Sequence, residues 1–505
     1  MSTITQMVSL RMAQNMVGTG AVVRAPAQDS TTAASAPAPS TVVSLGATQS
    51  ITTVVDYTDR IKASGDKTID PLLAGGNRWW HTAGASGATP SASAKHALTY
   101  SFIGSASGLN ATDATGFQAL DATQKQVIRD ALDYISSVVD ITFTEVSSGG
   151  DIQYGTNTQA SSAGYARYPN EGSQVFLANN QSSFSGSWAK GSYEWETIVH
   201  ETGHALGLKH PGNYNAGGGG TPGPYLAKAS DNRNNSIMSY NNNAGNMKRI
   251  AYSNNSFQTS YVNPDTFQLY DIAALQYLYG GAQNVAAQTY GWSDAPVMNQ
   301  TIWNPTAGSG IDLSNQTKDS IVDLRAGKSS SIGLRDAYGD MPFDKAGYAA
   351  LTSGGKKLTA LIGVPTYTGA GNLTIARGSH IDHATGGSGN DTFVTNTEDN
   401  VIDGGAGNDA VFVTGGDAEV TGGNGDDTVY VVKKSGTTWA ISQDGSTLTQ
   451  TKYDKKTNTT TTLATISLAG VEHVKYWNGT AFKAAGAALY GMPAPAPSPN
   501  VSTTA

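Results

Sequence analysis

Three of the chain's eight histidines fall within eleven residues, His200 to His210, in the run HETGHALGLKH. That spacing constrains the local fold. Residues four apart share one face of a helix, one turn above each other, so His200 and His204 can offer imidazoles to one ion. His210 can join them only if the helix stops. Gly207 can stop it, because glycine takes positive φ at little cost, and the chain then turns so that His210 swings back. Three neutral imidazoles suit Zn²⁺ and leave a position for water, whose pKa zinc lowers to about 7. Glu201, one step round the helix from His200, can take that proton and return it to a leaving amine. Ordinary surface histidines on an Ala-Leu helix would not concentrate three of eight in one window.

The segments around this run read as its scaffold. HALTYSFIG from His96 alternates like a strand. Asp121 caps a helix, with Gln124 in capping-box position. Val127, Ile128, Ala131, Leu132, Ile135, Val138 and Val139 form its buried stripe. ITFTEV (141–146), DIQYG (151–155) and SQVFLAN (173–179) read as strands, and a helix runs from near Tyr193 through His204. This order predicts a mixed sheet with a helix packed on it. NPDTFQLYDIAALQYLYGG reads as a further helix, with Asn263 as cap, Pro264 at the first position and Gly280 as the stop. About 30 residues after His210 comes SIMSY, Ser236–Tyr240. A Met in a tight turn under a metal site offers a soft apolar floor, and Tyr240 can reach the metal or a developing oxyanion.

Beyond residue 300 the pattern changes. Three nonapeptides, GGSGNDTFV, GGAGNDAVF and GGNGDDTVY, begin at Gly386, Gly404 and Gly422, each 18 residues after the last. Two nonapeptides per period make one coil of a parallel β-roll. The Gly-x-Gly-x-Asp half forms a turn that binds Ca²⁺, and the apolar residues that follow form a short strand. The expected calcium residues are Gly386, Ser388 and Asp391, then Gly404, Gly405, Gly407 and Asp409, then Gly422, Gly423, Gly425 and Asp427. Phe393, Val411 and Val429 fall near inward positions. TGAGNLTIA, from Thr368, is expected to be the preceding coil. Good calcium sites should line one side, because TNTEDNVID (395–403) and VTGGDAEVT (413–421) are degraded.

Composition narrows the setting. A net charge of −8 argues against nucleic acid and anionic membranes as partners, and no stretch is apolar enough to span a membrane. Cysteine is absent, as suits a cytoplasmic protein or one exported in a single step. The N-terminus lacks the basic start and apolar core of a secretory signal. Residues 1–23 read as a weak amphipathic helix and 25–41 as a disordered linker, together a floppy terminus or a removable pro-segment. Residues 436–482 read as hairpins capping the roll.

HETGHALGLKHP, SIMSY, YDIAALQYLYG and IDLSNQTKDSIVDLRAG (311–327) together resemble the serralysin family of metzincin zinc proteases, whose histidine motif is a zinc-site signature. Pro211 after the third histidine is the serralysin choice. The resemblance implies an α+β fold: a metzincin-like catalytic domain (mixed sheet with helices), then an all-β parallel β-roll of RTX type. It implies His200, His204 and His210 as zinc ligands, Glu201 as general base, and Met238 as the Met-turn. Tyr240 is implied as a mobile fifth ligand that stabilises the tetrahedral intermediate, and Asp382 as a calcium ligand. Substrate is expected to lie extended against an edge strand, taken as SQVFLAN, with broad specificity for polypeptides. A secreted monomer exported by a type I apparatus follows from the same resemblance, although PAPAPSPNVSTTA lacks the usual acidic and apolar end. Stretches 284–292 and 304–310 lack the acidic patterns of relatives, so packing more than ions is expected to join the two halves.

The division this gives is 1–50 as disordered terminus or pro-segment, 51–285 as protease, 286–435 as roll, 436–490 as β cap and 491–505 as tail. Two other readings stay open: a protease dedicated to one surface-layer or adhesin partner, and a non-catalytic calcium-binding surface protein. The presence of Glu201 argues against the second.

Overall fold

The computed structural model describes residues 7–10, 57–80, 96–169, 173–182, 184, 186–216, 218–242, 248–253, 256–335, 352–353, 356–357, 366–432, 434–477, 483–484 and 487–488. The linker 25–41, the tail 491–505 and most of the 1–23 helix lie outside these residues. The part of 1–23 that is described, Met7–Leu10, is a strand rather than a helix.

Six strands form the first sheet: β1 (Met7–Leu10), β2 (His96–Phe102), β3 (Ile141–Glu145), β4 (Ile152–Asn157), β5 (Gly164–Arg167) and β6 (Ser173–Ala178). Their order is β1-β5-β6-β4-β2-β3. β2 runs parallel to β3 and β4, and β4 parallel to β6. β5 returns antiparallel to β6, and β1 pairs antiparallel with β5. The mixed sheet is the expected one, with one correction: SQVFLAN is not an edge. It lies between β4 and β5, and the four residues GYAR form the strand outside it.

Helix α1 (Ala122–Val138) starts at Asp121 with the expected capping box. Ile128, Ala131, Leu132, Ile135 and Val138 are buried in one core with Leu98, Ile141 and Ile152. Burying such a side chain contributes roughly 1.5–3 kcal/mol. Helix α2 (Tyr193–Ala205) is capped by Ser192, whose side chain accepts the Trp195 N–H, and every residue from Glu194 to Ala205 is buried. Helix α3 (Leu269–Tyr279) begins six residues after the expected cap Asn263. The Asp265 N–H is committed to Asn299 O, and Asp271 caps the Gln268 N–H instead. Gly280 ends the helix at φ 84°, as expected.

The second half is built from short strands stacked in parallel. One sheet runs Ile321–Asp323, Thr392–Val394, Ala410–Val413, Thr428–Val432 and His473–Trp477. The other runs Thr289–Gly291, Gly310–Asp312, His383–Thr385, Asn400–Asp403, Ala418–Thr421 and Thr459–Ala469. Thr447–Asp454 and Thr437–Ile441 continue it antiparallel. Phe393, Val411 and Val429 face each other across neighbouring strands and are buried with Ile402 and Val420.

The coil before Gly386 is not TGAGNLTIA. Leu373–Ile375 pairs with Gln300–Ile302, while Thr392–Val394 pairs with Ile321–Asp323. The turn beneath the first nonapeptide is therefore Gln316–Asp319: a Cβ at Gly387 would run into Gln316 O, and one at Gly389 into Lys318 and Asp319.

The two halves meet through hydrogen bonds. Gln300 Nε2 donates to Asp265 Oδ2 (2.7 Å), the Thr301 N–H to Thr266 Oγ1 (2.8 Å), and Asn299 Nδ2 to Arg233 O (3.2 Å). Arg233 then forms a buried ion pair with Glu196 of α2, so this junction reaches the helix that carries the histidines. An exposed pair, Arg377 with Asp66, adds to it.

Candidate metal centre

Helix α2 presents His200 and His204 one turn apart. The helix ends at Ala205, and Gly207 adopts φ 100°, the hinge its position in the sequence calls for. The Leu208 N–H bonds back to Gly203 O, and His210 returns to the site. The three Nε2 atoms lie 3.1, 3.2 and 3.1 Å from one another. Each Nδ1 faces a main-chain oxygen: His200 that of Ile237 (2.8 Å), His204 that of Leu208 (2.7 Å), His210 that of Tyr214 (3.1 Å). A carbonyl only accepts, so Nδ1 carries the proton in all three rings.

The three Nε2 lone pairs then converge with no proton among them. Burial also disfavours protonation, lowering His204 to about 4 and the other two well below their ordinary range. Three convergent lone pairs repel unless a cation sits between them. Zn–N bonds of about 2.0–2.1 Å at tetrahedral angles put ligand atoms about 3.3 Å apart, close to the spacing found. These residues fit zinc, and among the described residues they form the one group of three or more His, Cys, Asp or Glu whose side-chain ligand atoms all lie within 4.8 Å of one another.

Glu201 is buried under β5. A Cβ at Gly164 would stand 2.8 Å from Glu201 Cγ and 3.0 Å from Thr197 Cγ2, so only glycine lets the strand pass this close to the carboxylate. Burial and the Glu201 charge together raise the Tyr168 phenol, and the Tyr168 ring stands edge-on to His204 at 5.9 Å. Sequence reasoning did not single out Tyr168.

Residues 108–252 match the model of metallo-peptidase family M12. The metallopeptidase AprA of Pseudomonas marginalis is 31% identical over 261 residues, 47% of this chain and 54% of that protein. Serralysin G of Dickeya chrysanthemi is 33% identical over 312 residues, 58% of this chain and 57% of its own. Over this stretch the chain is similar to metallopeptidases of the serralysin group. The chain spans about half the length of the curated relatives it matches. Among solved structures, that of myroilysin aligns over 38% of this chain and 94% of its own at 16% identity, with a TM-score of 0.22, too low to bear on the fold.

Met238 is fully buried. A Cβ at Gly203 would stand 3.0 Å from its Sδ, so helix and Met-bearing turn touch where the helix carries no side chain. The Tyr240 ring lies 4.5 Å from the His210 ring and stacks on Tyr214 at 4.9 Å. Tyr214 in turn donates its hydroxyl to Asp231 (2.6 Å). Tyr240 is thus at the site, on an aromatic platform.

Two further residues matter that the sequence did not mark. Asp271, on α3, accepts hydrogen bonds from Ser236 Oγ, the Ile237 N–H and the Gln268 N–H, all within 2.9 Å. Its burial pushes its carboxyl up to about 7. Lys209, almost fully buried, donates to Pro71 O and Pro224 O, which ties the loop carrying His210 to two neighbouring segments. No local pattern signals the contacts to the turn and to the neighbouring segments, because Ser236 and Ile237 lie 35 and 34 residues from Asp271, and Pro71 and Pro224 lie 138 and 15 from Lys209.

The Gly–Asp turns form a second constellation. The Asp391 N–H bonds to Asp409 Oδ1 (2.7 Å), and the Asp409 N–H to Asp427 Oδ1 (2.8 Å). Asp409 Oδ2 and Asp427 Oδ2 are buried with no hydrogen-bond partner. Burial raises Asp391 to about 6 and Asp409 to about 8. Buried carboxylate oxygens beside stacked main-chain carbonyls are the donor set a hard cation takes, so these residues fit calcium. At Asp382, Oδ2 accepts the Gly308 N–H (2.8 Å) and Oδ1 faces His383 Nδ1.

Proposed function

We propose that this chain is a secreted, zinc-dependent endopeptidase of broad specificity, stabilised by calcium. The observation that carries the reading is the convergence of three Nε2 lone pairs within 3.2 Å beside Glu201. His200, His204 and His210 would hold the metal. Bound there, zinc supplies Lewis acidity toward a scissile carbonyl and makes water acidic enough to deprotonate near neutrality. Glu201 would accept a proton from the attacking water and return it to the leaving amine. The Tyr240 phenol donates to the developing oxyanion. Met238 and Gly203 keep the floor of the site close-packed.

Substrate would add as an antiparallel strand to the free side of β5, where main-chain pairing reads little side-chain identity. β1 takes that side in this chain and lies antiparallel to β5, with Leu10 opposite Gly164. His200, Glu201, His204 and His210 are all fully buried. Both facts support residues 1–50 as a pro-segment covering the site until it is removed. The protease would then occupy 51–285. The parallel strands of 286–435 would form a calcium-binding β-roll, which Ile466–Ala469 and His473–Trp477 of the 436–490 stretch extend. Likeness to relatives named serralysin supports work outside the cell, and type I export would be the route.

Casein hydrolysis by the wild type and Glu201→Ala, with and without a zinc chelator, tests the catalytic reading. Activity that survives the chelator, or that equals wild type in the variant, would overturn it.

A further inference from the structure

The stack of Gly–Asp turns does not end with the third nonapeptide. After Val432 the chain leaves for the antiparallel strands Thr437–Ile441 and Thr447–Asp454. It then comes back into both stacks. Ile466 to Ala469 pair in parallel with Ala418 to Thr421, and His473 to Trp477 with Thr428 to Val432. Gly470, Val471 and Glu472 are thus the turn of one more coil, with no nonapeptide in its sequence.

That turn repeats the geometry of those before it. A Cβ at Gly386 would run into Gly404 O and, at 2.7 Å, Asp391 Oδ2; one at Gly404 would run into Gly422 O and Asp409 Oδ2. A Cβ at Gly422 would likewise run into Gly470 O and, at 2.6 Å, Asp427 Oδ2. The carboxylates follow the same ladder. The Asp427 N–H donates to Glu472 Oε2 at 2.8 Å, as the Asp409 N–H donates to Asp427 Oδ1. Asp427 is 2% exposed, and its Oδ2, beside Gly470 O, has no hydrogen-bond partner.

Resting on the calcium reading of the roll, we propose that Glu472 is a calcium ligand. With Asp427 and Gly470 O it would close a last site between the third nonapeptide and the final coil. Its place in the sequence hides it. Glu472 follows Asp427 by 45 residues, 27 more than the 18-residue period. The strands entering the two turns are offset by 48 residues and those leaving by 45, so the final turn is three residues shorter. A glutamate, one methylene longer than aspartate, offsets part of that shortening. Glu472 itself is exposed, which leaves the ion a path in. Carbonyl and carboxylate oxygens with one ligand on a flexible arm suit Ca²⁺ better than the stricter octahedral Mg²⁺. Calcium at this site would fasten the C-terminal strands to the roll.

The test counts calcium in the full zinc-loaded chain. Protein stripped of calcium is titrated with calcium alone and read by native mass spectrometry, and hydrogen exchange of residues 466–477 is followed alongside. Glu472→Gln is expected to hold one calcium fewer than wild type and to lose calcium-dependent protection of 466–477. Glu419→Gln removes an exposed charge on a neighbouring strand and is expected to change neither readout. Asp409→Asn reports on the roll as a whole. If Glu472→Gln keeps the wild-type count and protection while Asp409→Asn loses calcium, the roll binds calcium and the Glu472 site is wrong. If wild type and Asp409→Asn alike bind none, the calcium reading fails and this site with it.

Discussion

His200 Nδ1 lies 2.8 Å from the carbonyl oxygen of Ile237, which ties the first imidazole of the metal centre to the turn that carries Met238. The N–H of the same Ile237 donates to Asp271 at 2.6 Å. Asp271 therefore holds the turn that holds the ring. Removing such an outer partner typically weakens metal binding by about 10–100-fold. Asp271→Asn keeps the size of the side chain but cannot accept all three hydrogen bonds. Zinc affinity, measured by competition with a chromophoric chelator, is expected to fall by about that factor, with unchanged helix content. An unchanged affinity would mean that the turn holds its place without Asp271.

Glu201 and Gly164 can be separated by substitution. Glu201→Gln should keep one zinc per chain and lose about 10²–10⁴-fold in kcat. Gly164→Ala puts a methyl 2.8 Å from Glu201 Cγ, so β5 or the carboxylate must move. Misplacing a reacting group by about an ångström can cost roughly 10²-fold. Both variants should therefore be slow with zinc content intact, and metal analysis beside casein kinetics checks this. A Gly164→Ala enzyme as fast as wild type would show that the strand yields without disturbing Glu201.

The parts of this molecule legible in its sequence are those fixed by near neighbours. The helix step from His200 to His204, the Gly207 hinge and the Asp121–Gln124 capping box each depend on residues a few positions apart. Where distant contacts decide, the sequence misleads. Asn263–Pro264 has the form of a helix start, yet Asn299 takes the Asp265 N–H and the helix waits for Asp271. TGAGNLTIA matches the repeat in spacing, but Ile321–Asp323 wins the place beside Thr392–Val394. Glu472 escapes any pattern, because an inserted hairpin breaks the period while the stack continues in space.

The pairing of β1 with β5 predicts self-inhibition. A tethered segment acts at an effective concentration in the millimolar range, enough to compete with a micromolar peptide for the same strand edge. A chain lacking residues 1–50 is expected to cleave casein at least about tenfold faster at low substrate than the full chain, the difference lying mainly in KM. A synthetic peptide spanning Met7–Leu10 and its flanks should inhibit the shortened chain competitively. Noncompetitive inhibition, or none, would remove β1 from the substrate edge.

The carboxylate ladder sets a pH dependence whose sign depends on calcium. Without the ion, burial raises Asp409 from 3.8 to about 8 and Asp391 to about 6. Between the unfolded and folded values the native state binds more protons than the unfolded chain. Each such group therefore contributes stability that is complete below about pH 3.8 and lost as pH rises, by roughly 1.4 kcal/mol per pH unit. For Asp391 the loss ends near pH 6, and for Asp409 near pH 8. The calcium-free protein should thus melt at a lower temperature at pH 8 than at pH 6. Calcium binds the ionised form and displaces these protons, so its affinity should rise over the same interval and its stabilisation should be largest at pH 8. Circular dichroism melts at the two pH values, with and without calcium, measure both effects. A calcium-free protein equally stable at pH 6 and pH 8 would mean that the Asp409 carboxyl stays ionised in its buried place without a cation beside it.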